Sequence, residues 1–122
     1  MAIYKITMED GSQENVTLGM GALAELSRRQ PEIYKRYRSL YKMIGNGEDV
    51  DELVMAELIY IGYRTANSSR EDCMDKETFF EAMTDSREEI GKVFMQLFGV
   101  QEKKQAFATP SAGPRGKSRR RR

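Results

Sequence analysis

The chain has 122 residues, of which 20 are Lys or Arg and 19 are Asp or Glu, and it contains one cysteine and no histidine. This length predicts a single compact domain with an appendage, and the lone cysteine excludes an internal disulfide. The absence of histidine excludes Ser-His and Cys-His catalytic pairs and histidine-containing metal sites. We therefore expect a protein that is not an enzyme and that needs no cofactor or metal.

The net charge of +1 conceals two oppositely charged segments. Residues 101–122 contain eight Lys or Arg and one Glu, which gives +7 and leaves −6 for residues 1–100. Proline, glycine and small polar residues separate the later cations, and such a composition buries too little apolar surface to fold alone. The sequence predicts a helical, chaperone-like domain at residues 1–100 and a disordered, flexible basic tail at residues 101–122.

The amino-terminal pattern predicts a β-hairpin. Strand-forming residues occupy positions 3–8, Asp10-Gly11 is a frequent hairpin turn, and residues 15–18 form the return strand. A two-stranded ribbon is barely stable alone, so we expect it to pack against helices.

Beyond the hairpin, apolar residues recur with a helical period. The first helix ends before Pro31, which also starts the second helix, because its missing N–H costs nothing there. Three acidic residues have the spacing of N-caps for the later helices: Asp49, Asp75 and Asp85. The last helix is predicted to end at Gly99. The predicted fold class is mainly α, a small domain of about five helices with an N-terminal β-hairpin.

The third predicted helix is apolar on more than one face, which is typical of the buried centre of a bundle. Cys73 has acidic neighbours that disfavour its thiolate form, so we interpret it as a structural residue. The start of the chain does not resemble a secretion signal, and its apolar runs are shorter than the roughly 20 residues that cross a bilayer. These features predict a soluble, cytoplasmic protein that does not interact with membranes.

The second predicted helix combines aromatic and basic residues. Tyr34, Tyr37 and Tyr41 recur at helical spacing, and four cations lie between or beside them: Lys35, Arg36, Arg38 and Lys42. Such a surface can bind nucleic acid, because bases stack on tyrosine and cations track phosphates. Tyrosines at this spacing also bury their rings in a core and leave their hydroxyls hydrated, which is the interpretation that we favour.

The tail ends in four consecutive arginines: Arg119, Arg120, Arg121 and Arg122. They can hold phosphates without reading a base sequence. They can equally dock on an acidic protein or keep the chain soluble, and the sequence does not choose among these roles.

Three stretches resemble tail assembly chaperones of long-tailed bacteriophages. Residues 53–63 form a central helix with an Ile-Gly-Tyr end, residues 74–83 read MDKETFFEAM, and residues 90–107 contain Leu-Phe-Gly followed by Lys-Lys-Gln. The resemblance covers residues 3–107. The terminal arginines depart from the family's pattern, so the resemblance gives them no role.

The resemblance implies a function in virion morphogenesis. Such chaperones bind the long, apolar, helical tape measure protein and keep it soluble until the tail tube polymerises around it. They act in the host cytoplasm and are absent from the mature virion. Many also occur in a longer form, made by a ribosomal frameshift, whose extension recruits the tail tube protein. Homo-oligomers are compatible with this role.

For such a chaperone we expect helix-in-groove binding through apolar residues of the last two helices: Phe80, Met83, Phe94 and Phe98. If these residues form the core instead, polar substitutions there will unfold the domain. Two alternatives remain open. One is a nucleic-acid-binding module that uses the tyrosine-rich helix and the terminal arginines, and nucleic acid is the less favoured partner. The other is a head–tail or tail structural component, which would be present in mature particles.

Overall fold

A computed structural model describes the backbone of residues 2–108 and the side chains of residues 2–98. These residues form two strands and five helices: β1 Tyr4–Thr7, β2 Gln13–Val16, α1 Met20–Arg29, α2 Pro31–Gly45, α3 Glu52–Ala66, α4 Lys76–Ala82 and α5 Arg87–Ala108. The predicted mainly α fold with an N-terminal hairpin is confirmed. The final part of the predicted tail, residues 109–122, lies outside the described residues.

The hairpin is antiparallel, with Tyr4 opposite Val16 and Thr7 opposite Gln13. Gly11 takes the turn at a φ of +90°, a conformation that side chains other than glycine rarely adopt. Ile6 and Val16, which share one face of the ribbon, are fully buried. The hairpin is therefore stabilised by the helices beneath it, as its short strands require.

Helix α3 is the centre of the domain and contacts β2 and the other four helices. Gly62 lets the hairpin approach closely, since its carbonyl accepts a hydrogen bond from the Thr17 N–H at 3.0 Å. A Cβ at position 62 would lie 3.4 Å from the Cβ of Val16. The prediction of a buried central helix is confirmed, and its Ile-Gly-Tyr segment has a packing explanation.

Tyr63 links α3 to the segment before α4. Its ring stacks on Phe79 with centroids 4.8 Å apart, and its hydroxyl accepts a hydrogen bond from the Met74 N–H at 3.0 Å. We expect Tyr63→Phe to destabilise the domain by about 1 kcal/mol, because the ring packing remains but the N–H loses its partner. Urea unfolding measures this, and an unchanged midpoint would show that water replaces the hydroxyl.

One of the three predicted N-caps is confirmed and two are wrong. Asp75 accepts a hydrogen bond from the Thr78 N–H at 2.8 Å, as expected of a cap. The cap of α3 is Asp51 rather than Asp49, and the N-terminal turn of α5 is held by Ser86 rather than Asp85. A cap must directly precede the first helical residue, and both predictions were placed too early in runs of polar residues.

Gly99 does not end the last helix, because α5 continues to Ala108. A glycine inside a helix costs about 1 kcal/mol relative to alanine, and the residues that follow it, Gln-Glu-Lys-Lys-Gln, are good helix formers. The predicted boundary between domain and tail at residue 100 therefore falls inside α5.

A largely buried carboxylate joins three helices. Glu57 of α3, whose side chain is 11% exposed, accepts hydrogen bonds from Arg36 at 2.7 and 3.0 Å and lies 3.5 Å from the Lys76 ammonium. The hydrogen bonds from Arg36 lower the pKa of Glu57 below its usual 4.5. Arg36 thus has a structural role, although the sequence groups it with the other cations of its helix.

We expect Glu57→Gln to destabilise the domain by about 1–2 kcal/mol at neutral pH, since the charge-assisted hydrogen bonds are lost. Because the folded-state pKa is lowered, the stability from this group is fully present above pH 4.5 and is lost as the pH falls through the folded value. The stability of the variant should therefore fall less than that of the wild type as the pH is lowered. Glu52→Gln, at an exposed pair with Arg87, is the matched control and should change stability by less than about 1 kcal/mol. Thermal unfolding measured across pH compares the two variants. Equal losses of stability would contradict the structural role of the pair between Glu57 and Arg36.

Candidate functional site: a tyrosine-lined cleft

An open cleft of about 1650 Å³ lies between the hairpin, α1, α2 and α5. We call it the tyrosine cleft. Tyrosines from α2 form one wall, and aliphatic side chains from the segment that leads into α1 contribute to another. The residues of these walls used below are Tyr34, Tyr37, Tyr41, Leu18, Met20 and Leu23, with Leu97 from α5.

The three tyrosines of α2 differ in how far the rest of the domain covers them. Tyr37 is 8% exposed, Tyr34 is half-buried and Tyr41 is 43% exposed. Their ring centroids follow one another at 6.2 and 5.8 Å, and Tyr41 is 6.5 Å from the ring of Phe98 on α5. Burial raises the pKa of Tyr37 to about 12, so this ring stays uncharged at the base of the cleft. The favoured core interpretation fits Tyr37, whereas Tyr41 offers a surface.

The cations of α2 divide between two faces. Arg36 is paired with Glu57, whereas Lys35, Arg38 and Lys42 line the cleft. Lys35 has an exposed partner, Glu32, at 3.7 Å. Among the lining residues that the structure describes, none is Asp or Glu. The cleft therefore combines an apolar interior with a positively charged rim.

The expected partner-binding residues lie elsewhere and are used in packing. Met83 is 5% exposed and Phe98 is 7% exposed, so both belong to the core. Phe80 and Phe94 are half-buried and pack against that core. Burial of Met83 and Phe98 disfavours their direct contact with a partner, because their side chains pack within the domain, and binding through the four residues stays a prediction. The four terminal arginines lie outside the described residues.

Exposed apolar side chains indicate the cleft, rather than the four predicted residues, as a binding surface. Met20, at 82% exposure, and Tyr41, at 43%, both line it, whereas the exposed Ile3 does not. Leu53 and Met95 are also exposed but lie outside the cleft. In the sequence Met20 fits the apolar face of its helix, so periodicity gave no signal of its exposure.

Metal binding and the thiol of Cys73 are the remaining candidate chemistry in the described part of the chain. This part holds no cluster of three or more His, Cys, Asp or Glu side chains placed to bind a metal ion. Cys73 is half-buried, with its thiol 3.4 Å from the carbonyl oxygen of Asn67, which suits a structural role. Within the same residues, no helix has both the length and the apolar character needed to cross a membrane.

No protein-family profile matches the sequence, and neither a curated protein nor a solved structure is significantly similar to it. The resemblance to phage tail assembly chaperones therefore stays a prediction. The geometry of the cleft is the feature of the molecule that bears on its function.

Proposed function

We propose that this protein is a non-enzymatic tail assembly chaperone that binds an apolar helical segment of a tape measure protein in the tyrosine cleft. It keeps this partner soluble in the host cytoplasm during tail morphogenesis and leaves before the virion is complete. A longer frameshifted form that recruits tail tube protein, and a homo-oligomer, are compatible with this role.

The observation that carries the proposal is the size and apolar lining of the cleft. Its volume of about 1650 Å³ exceeds the range of roughly 300–1000 Å³ that is typical of small-molecule pockets. An α-helix with its side chains is about 10–12 Å wide and buries one apolar face when it binds in a groove. A helix, which leaves one side exposed when it binds in a groove, suits this large, open site better than a compact metabolite.

The side chains of the cleft suit a partner with an irregular apolar surface. Tyrosine offers a large contact area with few rotatable bonds, so its ordering on binding costs little entropy. Met20 is unbranched and 82% exposed, and a flexible thioether adapts to differently shaped side chains. A tape measure protein presents many similar but not identical apolar helical segments, for which an adaptable groove is appropriate.

One observation favours a second candidate, the nucleic-acid-binding module. Lys35, Arg38 and Lys42 line the cleft together with Tyr41, which is exposed enough to stack on a base. However, Tyr37 is buried and Tyr34 is half-buried, so the row of tyrosines cannot stack on successive bases. The geometry therefore favours an apolar helix over a single strand.

Co-expression with a tape measure protein, followed by pull-down at low and high salt, tests the proposal. We expect the partner to become soluble and the complex to survive high salt, because burial of apolar surface is not weakened by salt. Loss of the complex at high salt, with retention of nucleic acid that depends on Arg119–Arg122, would support the second candidate. Detection of the protein in mature particles would instead indicate a structural component.

A further inference from the structure

We infer that the tyrosine cleft selects an amphipathic helix that carries carboxylates along one flank of its apolar stripe, the flank that faces α2. This inference rests on the proposed function and specifies the chemistry of the segment that is bound. The inference is based on the difference in charge between the two walls of the cleft, because one wall carries cations and the described residues of the other are uncharged.

The cations of the cleft form a row along one wall. Lys35, Arg38 and Lys42 are spaced i, i+3 and i+7 on α2, and residues at this spacing share one face of a helix. In the sequence, each of these cations directly follows one of the three tyrosines. The cations therefore border the aromatic surface. All three are exposed, and the pair that Lys35 forms with Glu32 is itself exposed, so their charged groups remain accessible to a partner in solution.

The opposite wall has a different character. The lining residues that the structure describes on the α1 side are apolar or uncharged, among them Met20, Leu23 and Ser27. A helix seated in the cleft would therefore meet cations on one side only. A carboxylate row on both flanks of the partner would gain little more than a row on one flank.

The chain's own tail does not complement this surface. Residues 109–122 contain six Lys or Arg and neither Asp nor Glu. Placing that segment beside Lys35, Arg38 and Lys42 would bring like charges together, which disfavours association. The occupant is therefore expected to be a segment of another protein.

Binding of synthetic helical peptides, measured by fluorescence anisotropy, tests the inference. Three peptides share one apolar stripe and carry Glu, Gln or Lys along one flank. An exposed ion pair changes an affinity by a factor of about 1.5 to 5, so three pairs should separate the Glu and Lys peptides by about tenfold or more at low salt. The difference should shrink at high salt, because exposed charges are screened.

Lys42→Glu should weaken binding of the Glu peptide by about fivefold or more and strengthen binding of the Lys peptide. Lys42→Gln, which only removes the charge, should show a smaller change in the same direction. Lys5→Glu is the matched control, since Lys5 is an exposed lysine of β1 outside the cleft, and it should leave the preference unchanged. Thermal unfolding confirms that each variant is folded.

Four results would overturn the inference. Equal binding of all three peptides would remove the charge preference while leaving an apolar groove, so the proposed function would stand. Absence of binding by all three would contradict the proposed function as well. Displacement of the Glu peptide by a single-stranded oligonucleotide, or a dimer of the free protein that Lys42→Glu dissociates, would assign the cleft to nucleic acid or to a second copy of the chain.

Discussion

Met83→Asp should lower the free energy of unfolding by about 4 kcal/mol or more. Met83 is 5% exposed at the end of α4, where its backbone forms a bridge with Met8 of the hairpin segment. Truncation of a buried methionine costs about 2–5 kcal/mol, and an unpaired carboxylate in the core adds a further penalty. The sum is a large part of the 5–15 kcal/mol that stabilises a typical domain. Urea unfolding and circular dichroism measure the loss.

Met95→Asp is the matched control, because Met95 is 54% exposed on α5. The same chemical change there should alter the free energy of unfolding by less than about 1 kcal/mol. A folded Met83→Asp variant with wild-type stability but without partner binding would contradict the structure and restore Met83 as a contact residue.

The second large effect is expected on binding rather than on stability. Met20→Asp and Tyr41→Asp should each weaken binding of the tape measure segment by at least about tenfold, because central apolar and aromatic contacts dominate the energy of such interfaces. Both side chains are exposed, at 82% and 43%. Because the ring of Tyr41 also contacts Phe98, thermal unfolding checks that this variant is folded. An acidic residue in the first turn of α1 is also compatible with the helix dipole. Titration of a labelled segment measures the affinity.

Met95→Asp again provides the control, since it places the same charge on an exposed methionine outside the cleft. It should bind the segment as the wild type does. A loss of affinity at Met95 equal to that at Met20 would show that the charge, or a different surface, determines binding.

The elements of the fold could be predicted because their signals are local. Asp10-Gly11 marks the hairpin, Pro31 separates two helices, and Asp75 caps α4 within four residues of sequence. Their chemistry acts on neighbouring backbone groups, so no tertiary information is needed. Where two acidic residues compete for one cap, as Asp49 and Asp51 do, local patterns do not determine the register.

The site could not be predicted in the same way, because it depends on contacts between distant residues. Arg36 and Glu57 are 21 positions apart, and their pairing removes Arg36 from the basic surface that the sequence suggested. The exposure of each tyrosine depends on how much of α2 the neighbouring elements cover. The periodicity of apolar residues along α2 carries no information about that coverage. Likewise, the stripe that holds Phe94 and Phe98 predicts an apolar face but not whether that face meets the core or a partner.

Different helices of the domain form the core and the open surface of the cleft. Apolar stripes of α3, α4 and α5 stabilise the domain, whereas α1 and α2 leave part of their surface open. A chaperone needs both properties, because a surface that binds an apolar partner must not be required for its own folding.

Photo-crosslinking is the most direct test of the central claim that the tyrosine cleft holds the partner. A photoreactive phenylalanine derivative is placed at Tyr41 in the cleft, and separately at Met95 and Leu53, which are exposed outside it. Each variant is co-expressed with the tape measure protein and irradiated. The proposal predicts a crosslink to an apolar helical segment from position 41 and little from positions 95 and 53. Crosslinks from positions 95 or 53 without one from position 41 would contradict it and move the binding surface to another face.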